Sequence, residues 1–105
     1  MTKPTEAFTN SPADESSLAS QASVTIVVPA YNEEGGIEGV VRRLAGLELG
    51  LKEMEILVVD DGSTDATGSL LQELAAEIAA LQVIVKPRNE GYGAALLTGF
   101  AAAKH

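Results

Sequence analysis

The sequence predicts an α/β fold in which three parallel strands alternate with three helices, in the order β-α-β-α-β-α. Three observations lead to this prediction. Short apolar runs rich in β-branched residues recur along the chain, apolar residues at helical spacing follow each run, and a polar cluster stands at each junction. Alternation of this kind favours a parallel sheet with right-handed crossovers.

The first strand is predicted at Val24–Val28, a β-branched run that is stopped by Pro29. Such a run is typical of a strand buried on both faces. A helix should follow, with Asn32 as its N-cap, the next two glutamates in its first turn and Gly50 as its stop. Its apolar face has helical spacing and consists of Ile37, Val40, Val41, Leu44 and Leu47.

The second strand is predicted at Ile56–Val59, and the helix after it has Ser63 as a candidate cap. A short third strand is predicted at Val83–Val85. The last segment, Gly93–Lys104, is nearly all apolar, which indicates a helix packed against the sheet. The apolar positions of the second helix are Leu70, Leu71, Leu74, Ile78 and Leu81.

Length and composition indicate one globular domain preceded by a tail. The chain has 105 residues, of which 46% are hydrophobic and 21% charged, and both values are ordinary for a soluble protein. Met1–Ala22 is rich in small and polar residues and has few large apolar ones. It cannot bury enough surface to offset chain entropy, so we expect residues 1–22 to be disordered and residues 23–105 to form the domain.

Several classes of protein are disfavoured by charge and residue usage. The net charge of −8 disfavours binding to nucleic acid. The absence of cysteine excludes disulfide frameworks and thiolate metal sites, and the single histidine, His105, cannot by itself form a multi-histidine site. No apolar run is long enough to span a bilayer and no signal peptide is recognisable, so a cytoplasmic location is expected.

Each predicted strand ends in a polar cluster. The clusters are Pro29–Glu34, Asp60–Asp65 and Asn89–Gly93. Because parallel strands end at the same edge of a sheet, and because ligands bind beyond this edge in open α/β folds, the three clusters predict a binding site there. Helix capping and turn formation alone would explain most of these residues, but they explain the adjacent carboxylates of Asp60 and Asp61 poorly, since a cap needs only one.

The acidic pair is expected to divide two roles. Successive side chains of a strand point to opposite faces, so Asp60 and Asp61 need not share one pocket. Two carboxylates in one pocket would raise each other's pKa. We therefore expect one ligand and one structural residue, with Asp60 as the ligand because Asp61 lies nearer to the amides of the next helix.

The side chains of these clusters are compatible with nucleotide recognition. A carboxylate at a strand end accepts hydrogen bonds from ribose hydroxyls or a base N–H, and a neighbouring tyrosine can stack on the base. The glycine-rich dinucleotide fingerprint and the P-loop pattern are both absent. A diphosphate would therefore need a metal ion or backbone amides for its own charge.

Three segments in this order resemble the beginning of the family 2 glycosyltransferases, in particular the dolichyl- or polyprenyl-phosphate sugar transferases. They are TIVVPAYNEE, EILVVDDGSTDAT and KPRNEGYGAALLTGF, within a region of resemblance that spans Ser23 to His105. The resemblance implies a Rossmann-like GT-A fold and transfer of a sugar from a nucleoside diphosphate sugar to an acceptor. A polyprenyl phosphate is one candidate acceptor, and it would place the full-length protein at the cytoplasmic face of a membrane.

The resemblance also implies which residues bind the nucleotide and which element is missing. The nucleotide site it implies consists of Pro29, Tyr31, Glu33, Asp60 or Asp61, and the Asn89–Gly93 stretch with Gly91 and Gly93. The family's Asp-x-Asp motif, which holds Mg²⁺ or Mn²⁺ on the diphosphate, does not occur in the 105 residues. We therefore expect a truncated, catalytically incomplete chain whose uncovered sheet edges promote self-association.

Two other functions are compatible with parts of the pattern. One is a nucleotide-binding module without catalysis, which is what the fragment alone would amount to. The other is a phospho-accepting receiver domain, which also has an acidic pair after an apolar strand. That class needs the pair after strand one and an aspartate after a later strand, whereas here the third strand leads into Lys86-Pro87. Titration with nucleoside diphosphates separates the receiver domain from the glycosyltransferase and from the non-catalytic nucleotide-binding module.

Overall fold

The computed structural model describes residues 21–48 and 50–105. The three strands form one parallel sheet in the order β1-β2-β3, so the predicted α/β alternation and strand direction are confirmed. The elements are β1 (Ser23–Ala30), α1 (Ile37–Ala45), β2 (Glu53–Asp60), α2 (Thr67–Glu77), β3 (Leu81–Val85) and α3 (Tyr92–Ala102).

Strand β2 is the buried centre of the sheet. Its residues from Glu55 to Asp60 are all buried, whereas every residue of β1 except Ala30 is only half-buried. The prediction that the first strand is buried on both faces is therefore wrong for β1, because this strand lies at the edge of the described sheet. An apolar run does form a buried strand at β2, which has a neighbouring strand on each side.

The two faces of the sheet carry different layers of helix. Val28, Ile56 and Val58 point to the face that packs against α1 and α2. Val27 and Val59 point to the opposite face, which α3 covers. Helix α3 approaches this face closely at Gly99, where an added Cβ would lie 2.4 Å from Val27 Cγ1. Residue parity along β1 and β2 therefore decides which helix layer each side chain meets.

Helices α1 and α2 begin later than the sequence suggests. Asn32 and Ser63, the predicted caps, lie four or more residues before Ile37 and Thr67, where the helices begin. The positions next to these helices are Gly36 and Ala66, and neither accepts a side-chain capping bond. Both cap predictions are wrong, because these side chains form hydrogen bonds between the two loops.

Three element ends also differ from expectation. Helix α1 ends at Ala45 and is followed by Gly46, so Gly50 is not its stop and Leu47 lies outside it. Leu81 begins β3 instead of continuing α2, since α2 ends at Glu77. A pattern of apolar residues predicts that an element exists more reliably than it predicts where the element ends, because fraying and loop contacts move the boundaries.

Most of the predicted disordered tail lies outside the described residues. Of Met1–Ala22, the structure describes Gln21 and Ala22, and the carbonyl of Ala22 accepts a hydrogen bond of 2.8 Å from the Lys52 amide. Within the ranges 21–48 and 50–105, every helix is too short or too polar to cross a bilayer.

A buried carboxylate joins β1, β2 and the segment after α3. Glu55 is 7% exposed and accepts hydrogen bonds from Thr25 Oγ1 at 2.8 Å and from the Lys104 amide at 3.2 Å. Burial is the largest influence on the Glu55 pKa and raises it. The two hydrogen bonds and the charges of Lys104 and His105 together outweigh burial, so the pKa lies below its usual value of 4.5.

We expect Glu55 to make folding sensitive to acid. A carboxyl whose pKa is lower in the folded state stabilises the fold above the unfolded pKa, and this stability is lost as the pH falls through the folded value. The free energy of unfolding should therefore decrease below about pH 4.5. Urea titrations at several pH values should show a smaller acid loss in Glu55→Gln, and equal pH dependence of parent and variant would contradict this role.

Candidate functional site

The carboxyl ends of all three strands meet at one edge of the sheet. Ala30 pairs with Asp60, and Asp60 pairs with Val85, so the strands end level with one another. The Asp61 amide extends the ladder with a hydrogen bond of 2.8 Å to the Ala30 carbonyl. The polar clusters predicted to share an edge are therefore brought together.

A cleft of about 340 Å³ opens at this edge on the α3 side. Its volume lies at the small end of the range for ligand pockets, about 300–1,000 Å³, and is suited to a nucleoside-sized group. The cleft is lined by Pro29, Ala30, Tyr31, Glu33, Asp61, Asn89, Gly91, Tyr92 and Ala95.

Asp60 points away from the cleft, towards α2. Its side chain is 2% exposed, and its Oδ1 accepts a hydrogen bond of 3.0 Å from the Ser63 amide. Its Oδ2 lies so near α2 that a Cβ added at Gly68 would be 3.0 Å away. Asp60 therefore holds the turn after β2 and faces away from the cleft, so the geometric reason for expecting Asp60 as the ligand, that Asp61 lies nearer to the amides of the next helix, does not hold.

Asp61 points to the opposite face and lines the cleft. Its Oδ1 accepts a hydrogen bond of 3.1 Å from the Glu90 amide, and its Oδ2 accepts one of 2.9 Å from the Gly91 amide. Gly91 precedes the first residue of α3, where a negative charge is favoured by the helix dipole. A carboxylate has about four lone-pair sites, so Asp61 keeps acceptor capacity for a ligand while it holds the loop.

Asn32 joins the loop after β1 to the loop after β2. Its Oδ1 accepts hydrogen bonds from the Thr64 main-chain amide at 2.8 Å and the Asp65 main-chain amide at 3.3 Å. The main-chain amide of Asn32 donates to Ser63 Oγ at 2.9 Å. Its φ of 51° is in the left-handed region, which asparagine tolerates better than most residues. This conformation turns the chain between Tyr31 and Glu33, both of which line the cleft.

A second set of bonds reinforces the same junction. The Glu33 amide donates to Thr67 Oγ1 at 2.8 Å, the Glu34 amide donates to Asp65 Oδ2 at 3.3 Å, and the Ala66 amide donates to Glu34 Oε1 at 2.8 Å. Burial, the largest influence, raises the pKa of Asp65, but hydrogen bonds from the Thr67 hydroxyl and nearby amides lower it below the usual value. The Glu33 backbone is therefore held on the rim of the cleft.

Two cationic side chains follow β3. Lys86 is 9% exposed and lies behind the cleft, where its Nζ contacts Glu90 Oε1 and lies 3.8 Å from Asp61 Oδ1. Arg88 is 81% exposed, and its Nε is 3.9 Å from Glu90 Oε2. The hydrogen bond from Lys86, followed by its charge, lowers the pKa of Glu90 below its usual value.

The structure places most, but not all, of the predicted nucleotide residues in the cleft. Asp60, which faces α2, and Gly93, in the first turn of α3, do not line it. Sequence reasoning missed Ala30 and Ala95, since small apolar residues carry no chemical signal, and it did not single out Tyr92 within the predicted Asn89–Gly93 stretch. The predicted residues that line the cleft are Pro29, Tyr31, Glu33, Asp61, Asn89 and Gly91.

The described residues form no cluster that would by itself hold a divalent cation. Mg²⁺ and Mn²⁺ need several oxygen ligands around one point. In the ranges 21–48 and 50–105, no three acidic or histidine side chains converge in this way. The two adjacent aspartates point to opposite faces, and each already accepts backbone amides.

A three-stranded parallel sheet with helices on both faces and a cleft at its carboxyl edge defines a Rossmann-like α/β fold. Residues 25–105 match the family model of glycosyl transferase family 2. The chain belongs to this family, and its predicted family membership is confirmed. The receiver-domain interpretation is accordingly not supported.

Curated relatives of this chain are sugar transferases. It is 44% identical over 80 residues to the undecaprenyl-phosphate 4-deoxy-4-formamido-L-arabinose transferase of Pseudomonas aeruginosa (strain LESB58), a match that covers 73% of this chain and 23% of the relative. The enzyme of the same name from Enterobacter sp. (strain 638) is 39% identical, and this match covers 74% of this chain and 24% of the relative. The chain thus spans about a quarter of the length of these relatives.

Two solved structures share the fold. The mannosyltransferase PcManGT from Pyrobaculum calidifontis, in complex with GDP-Man and Mn²⁺, superposes with a TM-score of 0.71 at 31% identity, covering 77% of this chain and 24% of that one. S. aureus TarS superposes with a TM-score of 0.69 at 28% identity, covering 79% of this chain and 25% of the TarS chain. The predicted GT-A fold class is confirmed by these similarities.

Proposed function

We propose that the cleft binds the nucleoside part of a nucleoside diphosphate sugar, and that the whole protein transfers the sugar to an acceptor. The observation that carries this proposal is the carboxylate of Asp61. It is nearly buried, it is held by the Glu90 and Gly91 amides, and it lines a cleft of nucleoside size. A carboxylate fixed in this way is suited to accept a base N–H or a ribose hydroxyl.

The other lining residues suit a flat, polar ligand. Tyr31 is 41% exposed and Tyr92 is 70% exposed, so both have ring surface free to stack on a base. Glu33 and Asn89 add side-chain acceptors for ribose hydroxyls. Pro29 and the small Ala95 provide an apolar floor, which matches the combination of apolar surface and a few polar groups in ligand sites.

The diphosphate should point away from this acidic wall. The cleft contains the carboxylates of Glu33 and Asp61, and no lysine or arginine is among its described lining residues. Phosphate oxygens would be repelled there. Exposed Arg88, one residue before Asn89 of the lining, is the cation placed to meet a phosphate outside the cleft.

We propose that the whole protein uses Mg²⁺ or Mn²⁺ at the diphosphate, with ligands outside these 105 residues. The complex of PcManGT with both GDP-Man and Mn²⁺ supports the use of a divalent ion in this fold. When bound, such an ion would neutralise diphosphate charge and favour its departure. The residues of this chain contribute nucleoside binding and orientation.

The acceptor we propose is a polyprenyl phosphate, in line with the names of the curated relatives. An oxygen of the acceptor phosphate would form a bond to the anomeric carbon of the sugar. The bond from that carbon to the donor diphosphate would break, and the nucleoside diphosphate would leave with the electron pair. Because the acceptor is a lipid, the reaction would take place at a membrane surface, and we propose its cytoplasmic face.

Titration of the chain with UDP, GDP, CDP and ADP, each with and without Mn²⁺, tests the binding step. We expect saturable binding of at least one diphosphate, and similar binding of the matching nucleoside, because the cleft recognises the nucleoside part. Mn²⁺ should change the affinity of this chain little, since its described residues include no cluster of three acidic or histidine side chains. Calorimetry or ligand-observed NMR would measure both quantities.

Failure of all four diphosphates and their nucleosides to bind the folded chain would refute the proposal. Binding by the chain, without sugar transfer by a full-length relative carrying the same cleft, would instead support the non-catalytic nucleotide-binding module. This second function is compatible with the same cleft, because nucleoside recognition by the lining residues does not by itself require sugar transfer.

A further inference from the structure

Lys86 is a buried charge that lies just outside the proposed nucleoside site. It follows the last residue of β3, is 9% exposed and does not line the cleft. Its main-chain amide donates a hydrogen bond of 2.8 Å to the Asp60 carbonyl, which fixes its backbone to the sheet. Lysine is seldom buried unless it is paired, so the position calls for a physical reason.

The ammonium of Lys86 joins two groups that belong to different elements. It contacts Glu90 Oε1 and lies 3.8 Å from Oδ1 of Asp61, which follows β2. The Glu90 amide in turn donates to the same Oδ1 of Asp61, at 3.1 Å. Lys86, Glu90 and Asp61 therefore form a closed ring of polar contacts that connects the β2 end with the loop before α3.

This ring includes the carboxylate that lines the cleft. Asp61 is 3% exposed, and without Lys86 its charge would be compensated by two amides alone. Removal of one partner of a buried charge pair leaves an uncompensated charge and is costly. The Asp61 carboxylate would then rotate towards water in the cleft, and the Glu90 and Gly91 amides would lose their acceptor.

We propose that Lys86 is a positioning residue, which fixes the Asp61 carboxylate and the Asn89–Gly91 loop before a nucleoside enters the cleft. This inference rests on the proposed function, because the group it positions is the proposed nucleoside ligand. Lys86 touches neither base nor ribose. Its effect is to keep two of the cleft walls in the geometry that binds them.

A purely electrostatic role of Lys86 would affect the binding of nucleoside and diphosphate differently from a positioning role. If Lys86 only offset negative charge near the site, its removal would weaken binding of a diphosphate and leave the neutral nucleoside unaffected. If it positions Asp61, both ligands should lose affinity by the same factor, because both present the same nucleoside to the same carboxylate. The comparison of nucleoside and diphosphate therefore separates the two roles.

The experiment compares Lys86→Met, Lys86→Arg and the matched control Lys52→Met with the parent chain. Lys52 is exposed and stands just before β2, at the end of the strand opposite to the cleft, so Lys52→Met makes the same charge change far from the site. Two readouts are needed. One is the affinity for the diphosphate and nucleoside that bind the parent, and the other is amide hydrogen exchange at Glu90 and Gly91.

We expect Lys86→Met to bind both ligands about tenfold more weakly, the scale of one hydrogen bond to a charged group. Exchange at the two amides should be faster by a similar factor. Lys86→Arg should restore most of both properties, and Lys52→Met should change neither. Equal affinity and equal exchange in Lys86→Met and the parent, or a loss confined to the diphosphate, would overturn the proposal.

A second variant covers the case in which Lys86→Met does not fold. Glu90→Gln changes a side chain that is 45% exposed and removes the negative charge of one of the two groups that hold the ammonium. A smaller loss of nucleoside affinity and faster exchange at Gly91 would support the proposal, and no change in either would overturn it. If the parent binds no nucleotide, the proposed function fails, while the exchange data still decide whether Lys86 orders the loop.

Discussion

Gly62→Ala is expected to lower the free energy of unfolding by about 2–5 kcal/mol, a large share of the stability of a small domain. Gly62 has φ of 74°, a conformation that costs a residue with a Cβ about 1–2 kcal/mol. An added Cβ would also lie 2.3 Å from the Arg88 carbonyl carbon and 2.5 Å from the Asn89 nitrogen. The contact is with backbone, so no side chain can move aside to relieve it. Urea denaturation would measure the loss.

Gly50→Ala is the matched control for this prediction. Gly50 has a similar φ of 68°, but an added Cβ would meet nothing within 4 Å. It should lose only about 1–2 kcal/mol, the cost of the backbone conformation. The difference between the two variants therefore isolates the contact between the loops after β2 and β3. Equal losses in both variants would show that this close approach is not what Gly62 serves.

The Gly62 contact also matters for the proposed site. It lets the turn that follows Asp61 pack directly against the Arg88–Asn89 peptide. This peptide lies next to the two amides that donate hydrogen bonds to Asp61. The two loops are thus held together both by backbone packing and by hydrogen bonds. We infer that stability and nucleoside binding are coupled at this edge of the sheet, so affinities of variants must be measured on the folded fraction.

Asp61→Asn is expected to weaken nucleoside diphosphate binding by about 1.5–3 kcal/mol, the scale of a hydrogen bond to a charged group. An asparagine oxygen can replace one carboxylate oxygen, but its NH₂ group cannot accept from the second amide of the Glu90–Gly91 pair. The variant should therefore lose stability as well as affinity. Calorimetric titration with the diphosphate that binds the parent, alongside a urea melt, would measure both effects.

Asp60→Asn is the control with the same change one residue earlier. Its carboxylate accepts the Ser63 amide and faces α2, so this variant should lose about 0.5–2 kcal/mol of stability, the scale of a lost cap. Its folded fraction should bind the nucleotide as the parent does. A loss of binding in Asp60→Asn with normal binding in Asp61→Asn would restore the assignment that the sequence alone suggests. Normal binding in both would leave the acidic pair as turn chemistry only.

Much of the architecture could be predicted because its signals are local. The apolar runs Ile56–Val59 and Val83–Val85 specify strands, and the polar clusters after them specify the edge of the sheet where the cleft lies. Family motifs around Tyr31 and Asp61 pointed to the same edge. These features survive in the structure because each depends on the spacing of a few neighbouring residues.

The starts of the helices could not be predicted in the same way. Asn32 and Ser63 have the chemistry of caps, but each has a choice between a nearby amide and one in another loop. The structure pairs them with each other across 31 positions of sequence, and the helices begin later, with the first amide of α2 donating to Asp65 instead of Ser63. A single sequence contains no signal for this exchange, because it depends on how closely two loops approach.

The sequence by itself determined the order of strands and helices, the parallel sheet, the family and the edge that carries the site. Only the tertiary structure decided that Asp61 faces the cleft, that Asp60 faces α2, and that the buried Lys86 ammonium lies 3.8 Å from Asp61 Oδ1. The physical reason is that strand alternation ensures that the two aspartates face opposite sides, but it does not say which side α3 covers. That choice is made by the packing of α3 at Gly99 on Val27 and Val59, residues far apart in sequence.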